Sequence, residues 1–216
     1  MLDEAPAIQR QPIERPPADW VAALRGTPTG FIVDAMGGSG GLDFRLKPAI
    51  AEQFSFCGVA LTVDAGPADN LALVHALKDV QPGDVLVVTT GGFTGCAVTG
   101  DLVLGMARNS GAVGFVTDGC VRDLNGIRAV GLPAWAMGVT PNSPHRSGPG
   151  TIGFPIALAG YPVASGDIVI ADVDGVVVVP KSRVEAVLQR LPAVREAEAA
   201  ADAAVRGGMR LPAWLK

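Results

Sequence analysis

Histidine, lysine and cysteine are all scarce in this 216-residue chain, and each shortage removes a chemistry. Two histidines, His75 and His145, are too few for a histidine-rich zinc site. Three cysteines, Cys57, Cys96 and Cys120, make neither a CxxC spacing nor an even set, which argues against a zinc knuckle or a disulfide framework and for a reducing, cytoplasmic setting. With no histidine base beside them in sequence, they read as structural. No apolar run approaches the length that spans a bilayer, and the opening stretch MLDEAPAIQRQPIERPPADW carries acids and prolines where a signal peptide needs a basic start and an apolar core. Neither export nor a membrane partner is expected. A formal charge of -4 without a Lys/Arg cluster leaves no footprint for a phosphate backbone, so nucleic acid is not expected either.

Apolar residues, at 49%, suffice for one core without staples, and 28 glycines beside few aromatics point to tight turns and close backbone approaches. Residues 1–17 read as a Pro-rich arm that drapes over the body or reaches a neighbouring subunit, and 18–216 as a single domain. Within it the patterns predict helices over 19–24 and 29–36, closed by the breaker GGSGG, then a β-branched strand over 56–66. Asp69 is placed to cap a helix running to 78, with His75 on its face, and QPGDVLVVTT is a turn leading into a buried strand. A helix over 101–110, a strand over 113–117, a helix over 121–130 and a strand over 133–139 continue the α/β alternation. After the loop TPNSPHRSGPG the pattern turns to β only, with a strand over 152–158 and a hairpin in GDIVIADVDGVVVVP. Residues 182–206 are helical, and Pro192 predicts two pieces with a break.

Chemistry concentrates where strands hand over to helices. Asp101 opens one predicted helix, and Arg122 and Asp123 open the next, after the turn Asp118-Gly119. Strand C-termini and helix N-termini are where open α/β sheets bind ligands, so backbone amides near Gly100, Leu102 and Val103 are placed to receive a carboxylate. Arg122 offers a two-pronged partner for a carboxylate or enolate, and Asp123 a hard oxygen ligand of the kind Mg²⁺ or Mn²⁺ accepts while keeping much of its water. On spacing alone the plainer arrangement, two capping aspartates and a solvated arginine, is the commoner one.

The segments GFVTDGCVRD, PADNLALVHAL, QPGDVLVV and GDIVIADVDGVVVVP, with twenty residues between Asp101 and Arg122-Asp123, resemble the RraA-like family over roughly 29–180. That family includes the 4-hydroxy-4-methyl-2-oxoglutarate/4-carboxy-4-hydroxy-2-oxoadipate aldolases. The resemblance implies a layered α/β/β fold of the swivelling β/β/α type with a C-terminal helix. It implies that Asp123 binds a divalent metal, Mg²⁺ or Mn²⁺, directly, that Arg122 holds the pyruvyl portion of a small 2-oxo acid, and that Asp101 orients or deprotonates water at the metal. It further implies a trimer, or a hexamer of paired trimers, with sites at subunit interfaces and a neighbour's C-terminal acid joining the water shell. Glu196, Glu198 and Asp202 are the candidates, and Glu198 is preferred.

The expected reaction is retro-aldol cleavage of a 4-hydroxy-2-oxo diacid to pyruvate and a second oxo acid, with oxaloacetate decarboxylation through the same enolate. The four lysines, Lys47, Lys78, Lys181 and Lys216, all lie outside the 100–123 segment, which disfavours a Schiff base. The same family contains regulators of RNase E, so a non-catalytic, protein-binding role on this scaffold is the alternative. His145 and Arg146 are weighed as a clamp for a distal carboxylate against ordinary solvated loop charges. Asp34, Asp172 and Asp174 are assigned to turns and helix ends.

Overall fold

The computed structural model describes residues 7–215, and the order of their elements separates an α/β half from a β-rich half. A short strand β1 (Ile8–Arg10) precedes helices α1 (Ala18–Leu24) and α2 (Thr29–Ala35), strand β2 (Lys47–Pro48) and the long strand β3 (Phe56–Asp64). Helix α3 (Leu71–Ala76), strands β4 (Asp84–Thr89) and β5 (Ala97–Thr99), and helix α4 (Asp101–Asn109) follow. Next come β6 (Gly114–Thr117), β7 (Cys120–Val121), α5 (Leu124–Val130), β8 (Ala134–Ala136) and β9 (Gly138–Val139). Strands β10 (Gly150–Ile152), β11 (Ile156–Leu158), β12 (Tyr161–Val163), β13 (Ile168–Asp172) and β14 (Gly175–Val179) lead through a 3-10 turn into helix α6 (Val184–Arg206).

Strand β3 is the hub of the large sheet. One of its edges pairs in parallel with β4, which continues through β6 to β8, while its other edge pairs antiparallel with β13 at one end and with β10 at the other. These central strands are apolar at nearly every position because both faces are covered. Leu61, Val63, Leu86, Val88 and Phe115 face α3, α4 and α5, whereas Ala60, Val85, Val87 and Val116 face the β11–β12 hairpin and the inner side of β13–β14. The outer side of that pair, through Ile168, Ile170, Val177 and Val179, is covered by α1, α2 and α6. Each fully buried side chain such as Phe115 contributes about 1.5–3 kcal/mol by leaving water. The layers are therefore helix, sheet, sheet and helix, the layered α/β architecture expected, with the C-terminal helix in the last layer.

A second, three-stranded parallel sheet, β5–β7–β9, arises from the first. The chain leaves β4, β6 and β8 through jogs at Thr90–Cys96, Asp118–Gly119 and Met137, then resumes as β5, β7 and β9. Buried Asp118 latches these jogs together: it accepts from Thr89 Oγ1 at 2.8 Å and from the Thr90 amide at 2.7 Å, while Met137 N–H reaches Gly119 O at 3.0 Å. A Cβ at Gly119 would meet Thr90 Cγ2 at 2.8 Å, so this layer closes only around glycine.

Several sequence expectations change here. The strand predicted over 133–139 is split at Met137 between two sheets, and the one over 152–158 divides into β10 and β11, with β12 unanticipated. The helix predicted over 121–130 begins only at Leu124, because Val121 is a fully buried strand residue paired with Thr99 and Val139. The helix after Asp69 spans only Leu71–Ala76. Its N-cap is Asn70, and Asp69 instead accepts the Leu71 amide at 2.7 Å and ties in the 147–148 backbone. The predicted break at Pro192 is absent: α6 is continuous, with Val187, Leu188 and Leu191 packed before the proline and Val194 after it. Packing on both sides holds the axis although one backbone hydrogen bond is missing.

Of the predicted arm, residues 1–6 lie outside the described residues. Residues 8–10 pair in parallel with β10, and Arg15 grips buried Asp84 through two bonds of 3.0 and 2.6 Å, so this stretch lies on its own body. Asp172 accepts both the amide and the hydroxyl of Thr29 at 2.7 Å and so caps α2 from across the sheet. No helix among the described residues is long and apolar enough to cross a membrane.

Candidate functional site

Three loops leave the C-terminal ends of β5, β7 and β9 and converge on one small cleft. The first supplies Gly100, Asp101, Leu102 and Val103, the second Arg122 and Asp123, and the third Pro144 and Arg146. Parallel strands end together, so residues distant in sequence meet at one edge, which is why Asp101 and Arg122, with twenty residues between them, line one cleft. The sequence-predicted residues of the first two loops are thus brought together.

Asp123 is the N-cap of α5 and holds left-handed backbone angles, φ 62° and ψ 45°. Aspartate tolerates this region at a cost on the order of 1–2 kcal/mol, and such costs cluster at sites where placement matters. Its side chain makes no capping bond. Instead Oδ2 lies 3.2 Å from Arg122 Nε, with the two side chains 47% and 36% exposed, so the carboxylate is oriented yet open to a ligand. Gly100 makes the room, since a Cβ there would meet Asp123 Oδ2 at 2.5 Å. Arg122 is fixed at both ends: its amide donates to Thr99 O at 3.1 Å and one terminal nitrogen donates to Ser143 Oγ at 2.7 Å.

Asp101 opens α4. Its Oδ1 accepts the Leu102 amide at 2.7 Å, and a Cβ on Gly126 would fall 2.0 Å from Oδ2, so the carboxylate lies in a notch on α5. The Leu102 amide is therefore already engaged. Val103 N–H, in the first helical turn, is a donor that the helix cannot satisfy internally. Leu102 and Met106, a turn apart on α4, are 78% and 45% exposed beside the cleft.

Arg146 reaches the cleft because its loop is bolted to the start of α3. Asp69 Oδ2 accepts the amides of Ser147 at 2.6 Å and Gly148 at 3.1 Å, and backbone bonds join Asn70 to His145 and His145 to Ala68. Burial alone would raise the Asp69 carboxyl, but the amides of Ser147, Leu71 and Gly148, with the nearby His145, hold it below the usual aspartate range. His145 stays outside the cleft lining, as does His75, whose helix face turns elsewhere.

Sequence reasoning missed Asn70. It is 2% exposed, lines the cleft, and donates through Nδ2 to Val98 O at 3.1 Å, yet its Oδ1 is buried without a protein partner. An unpaired buried acceptor costs about 1–3 kcal/mol, which marks it as a residue held for something other than stability. Its position as N-cap, where asparagine normally accepts a helix amide, was the available signal.

Glu196, Glu198 and Asp202 lie on the exposed side of α6 and do not line this cleft, and Asp202 pairs with Arg206 at 2.8 Å. All three thiols are buried, and burial pushes Cys57 up to about 11, so no cysteine nucleophile is poised here. Among the described residues no three Asp, Glu, His or Cys side chains group as a metal cage. One open carboxylate in a glycine-made recess fits a hard cation completed by water and ligand oxygens, and does not fit zinc held by protein alone.

The family model described as RraA-like (Aldolase/RraA) matches residues 29–178. A protein of Halalkalibacterium halodurans named "Putative 4-hydroxy-4-methyl-2-oxoglutarate aldolase" is 36% identical over 199 residues, covering 92% of this chain and 94% of its own. Among solved structures, Streptomyces coelicolor RraAS2, described as an unusual member of the RNase ES inhibitor RraA family, superposes with a TM-score of 0.77 at 32% identity, covering 88% of this chain and 99% of its own. An uncharacterized protein of Pseudomonas syringae superposes with a TM-score of 0.79 at 25% identity, covering 91% and 96%.

Proposed function

Because this chain belongs to the RraA-like family, we propose that its cleft is the active site of a divalent-metal-dependent carbon–carbon lyase that cleaves a 4-hydroxy-2-oxo diacid to pyruvate and a second oxo acid. The observation that carries this reading is the convergence of an open Asp123 carboxylate, a braced Arg122 and a free helix amide at Val103 on one cleft. Asp123 would hold the metal, Mg²⁺ or Mn²⁺, which when bound withdraws charge from the 2-oxo acid and favours its enolate. Val103 N–H and Arg122 receive the pyruvyl carboxylate, and the Arg122 guanidinium shares the negative charge that develops as the bond breaks. Asp101, fixed in its notch, draws a proton from water that in turn takes the proton of the substrate hydroxyl.

Arg146 at the cleft mouth favours a substrate with a second carboxylate, and oxaloacetate, which decarboxylates through the same pyruvate enolate, is a second substrate. The exposed Leu102–Met106 face beside the cleft suits burial against another copy of the chain in a trimer or hexamer. From that copy an acid of α6, with Glu198 preferred over Glu196 and Asp202, would join in holding the metal through water. The cytoplasm is the compartment this chemistry suits.

A second reading, a protein-binding regulator that performs no chemistry, is favoured by the likeness to RraAS2. Pyruvate release from a panel of 2-oxo diacids, with Mg²⁺ or with EDTA, separates the two. The lyase releases pyruvate only with metal, and Asp123→Ala lowers the rate on the order of a hundredfold to a thousandfold, the scale of losing one charge-stabilising group. Absence of both pyruvate and metal binding would leave the regulator.

A further inference from the structure

The lyase reading leaves the Asn70 side chain of the cleft unused. Asn70 closes the side formed by the start of α3, and its amide is oriented without ambiguity of role: Nδ2 is spent on Val98 O at 3.1 Å, the last strand carbonyl but one before the Thr99–Gly100 turn. Oδ1 therefore faces away from that bond as an acceptor, and it is buried with no protein donor. Asparagine at an N-cap ordinarily turns its oxygen onto the first helical amides, but here Asp69 takes the Leu71 amide and the Asn70 side chain makes no cap bond. The local hydrogen bonds thus withhold an oxygen from the helix, on a residue that lines the same cleft as Gly100, Asp101, Arg122 and Asp123.

An amide oxygen can only accept. The keto and carboxylate oxygens of a 4-hydroxy-2-oxo diacid also only accept, so the partner of Oδ1 is an O–H group. Resting on the lyase reading, we infer that Asn70 Oδ1 positions the water that serves as base in the retro-aldol step. That water donates one hydrogen to Asn70 Oδ1 and the other to the Asp101 carboxylate, which turns a lone pair toward the substrate's 4-hydroxyl. The hydroxyl proton passes to the water as the water releases one to Asp101. The O–H electron pair becomes the new carbonyl π bond at C4, the C3–C4 bond breaks, and its electrons pass to C3 of the pyruvate enolate. No oxidant or further reactant is needed. Asn70 is in this sense a positioning residue, acting on substrate through one water.

Decarboxylation of oxaloacetate reaches the same enolate by losing carbon dioxide and has no hydroxyl proton to remove, so it does not use this water in the bond-breaking step. The two reactions therefore separate a role in proton removal from a role in holding the cleft together. In Asn70→Ala, kcat for a 4-hydroxy-2-oxo diacid should fall on the order of a hundredfold, the scale of misplacing one reacting group, with KM little changed. Oxaloacetate decarboxylation by the same preparation should fall no more than about threefold, which also reports that the variant is folded. Asn70→Asp keeps an acceptor oxygen while losing the donor to Val98, and it should recover most of the retro-aldol rate lost by alanine. Parallel loss of both reactions, or an Asn70→Asp variant as impaired as Asn70→Ala, overturns the inference and assigns Asn70 to the Val98 tie alone. If the wild-type protein with Mg²⁺ performs neither reaction, the lyase reading falls and this inference with it.

Discussion

Two arginine–aspartate pairs stand at opposite ends of the parallel strands and have been put to opposite uses. Asp84 is the first residue of β4, only 1% exposed, and its carboxylate is filled by two bonds from Arg15 and one from the Gln81 amide. Arg122 and Asp123 follow β7 at the other end, make a single contact of 3.2 Å, and keep 36% and 47% of their side chains in solvent. The residue types are the same, but the number of donors around the carboxylate and its access to water differ. A buried carboxylate held by three donors has no open side left for a ligand; one oriented from a single side does. Strand C-termini leave such groups half-satisfied where their loops meet around an open cleft.

That contrast can be broken by exchanging effects between the pairs. Asp123→Ala should produce the largest change in the molecule, the hundredfold to thousandfold loss of pyruvate release given above, while lowering unfolding free energy by only about 1 kcal/mol, because alanine tolerates the left-handed backbone less well than aspartate. Arg15→Ala should do the reverse. Stripping the cation from a buried carboxylate costs about 3 kcal/mol or more, seen as an earlier urea midpoint with unchanged slope, while turnover per folded molecule stays near wild type. If Asp123→Ala unfolded the protein, or Arg15→Ala left stability untouched, burial would not be what divides the two pairs.

The layers were legible in the sequence because both faces of β3, β4 and β6 are covered, and a run such as DVLVVT can be little else than a buried strand. That Asp101 and Arg122-Asp123 could share one cleft was legible because each opens a helix directly after a strand. The small sheet was not, since two- and three-residue strands such as Cys120–Val121 carry no periodicity and exist only because the larger sheet continues through a jog. For the same reason Val121 read as a helix start, whereas Asn70 read as part of a helix that it instead precedes as N-cap. Pro192 does not break α6 because packing on α1 and α2 outweighs the local effect of a proline.

Smaller effects should follow from groups that serve the open pair at one remove. Gly126→Ala gains about 0.5–1 kcal/mol of helix propensity, but its Cβ would lie 2.0 Å from Asp101 Oδ2 and 2.5 Å from Asp101 Cβ. The carboxylate must leave its notch, so activity should drop roughly tenfold to a hundredfold, the range for a displaced catalytic group, with a melting midpoint close to wild type. An unchanged rate would remove Asp101 from the proton path.

The smallest effect belongs to Asp69, a third carboxylate, satisfied by backbone amides rather than by an arginine and standing behind the Arg146 loop. Burial opposes its ionisation, yet the amides of Ser147, Leu71 and Gly148 outweigh that and hold the carboxyl below the ordinary value of 3.8. A depressed carboxyl contributes its stability fully above the unfolded value and loses it as pH falls through the folded one, so the tie between this loop and α3 should be constant from neutrality down to about pH 4 and weaken below it. Hydrogen-exchange protection of the Ser147 and Gly148 amides, corrected for intrinsic rates, should therefore drop at the acid end while protection in β4 persists. In Asp69→Asn the loop should be less protected at neutral pH and lose its acid dependence. Equal acid sensitivity in wild type and Asp69→Asn would mean that another carboxyl holds the loop, and that Arg146 is placed over the cleft by something other than this turn.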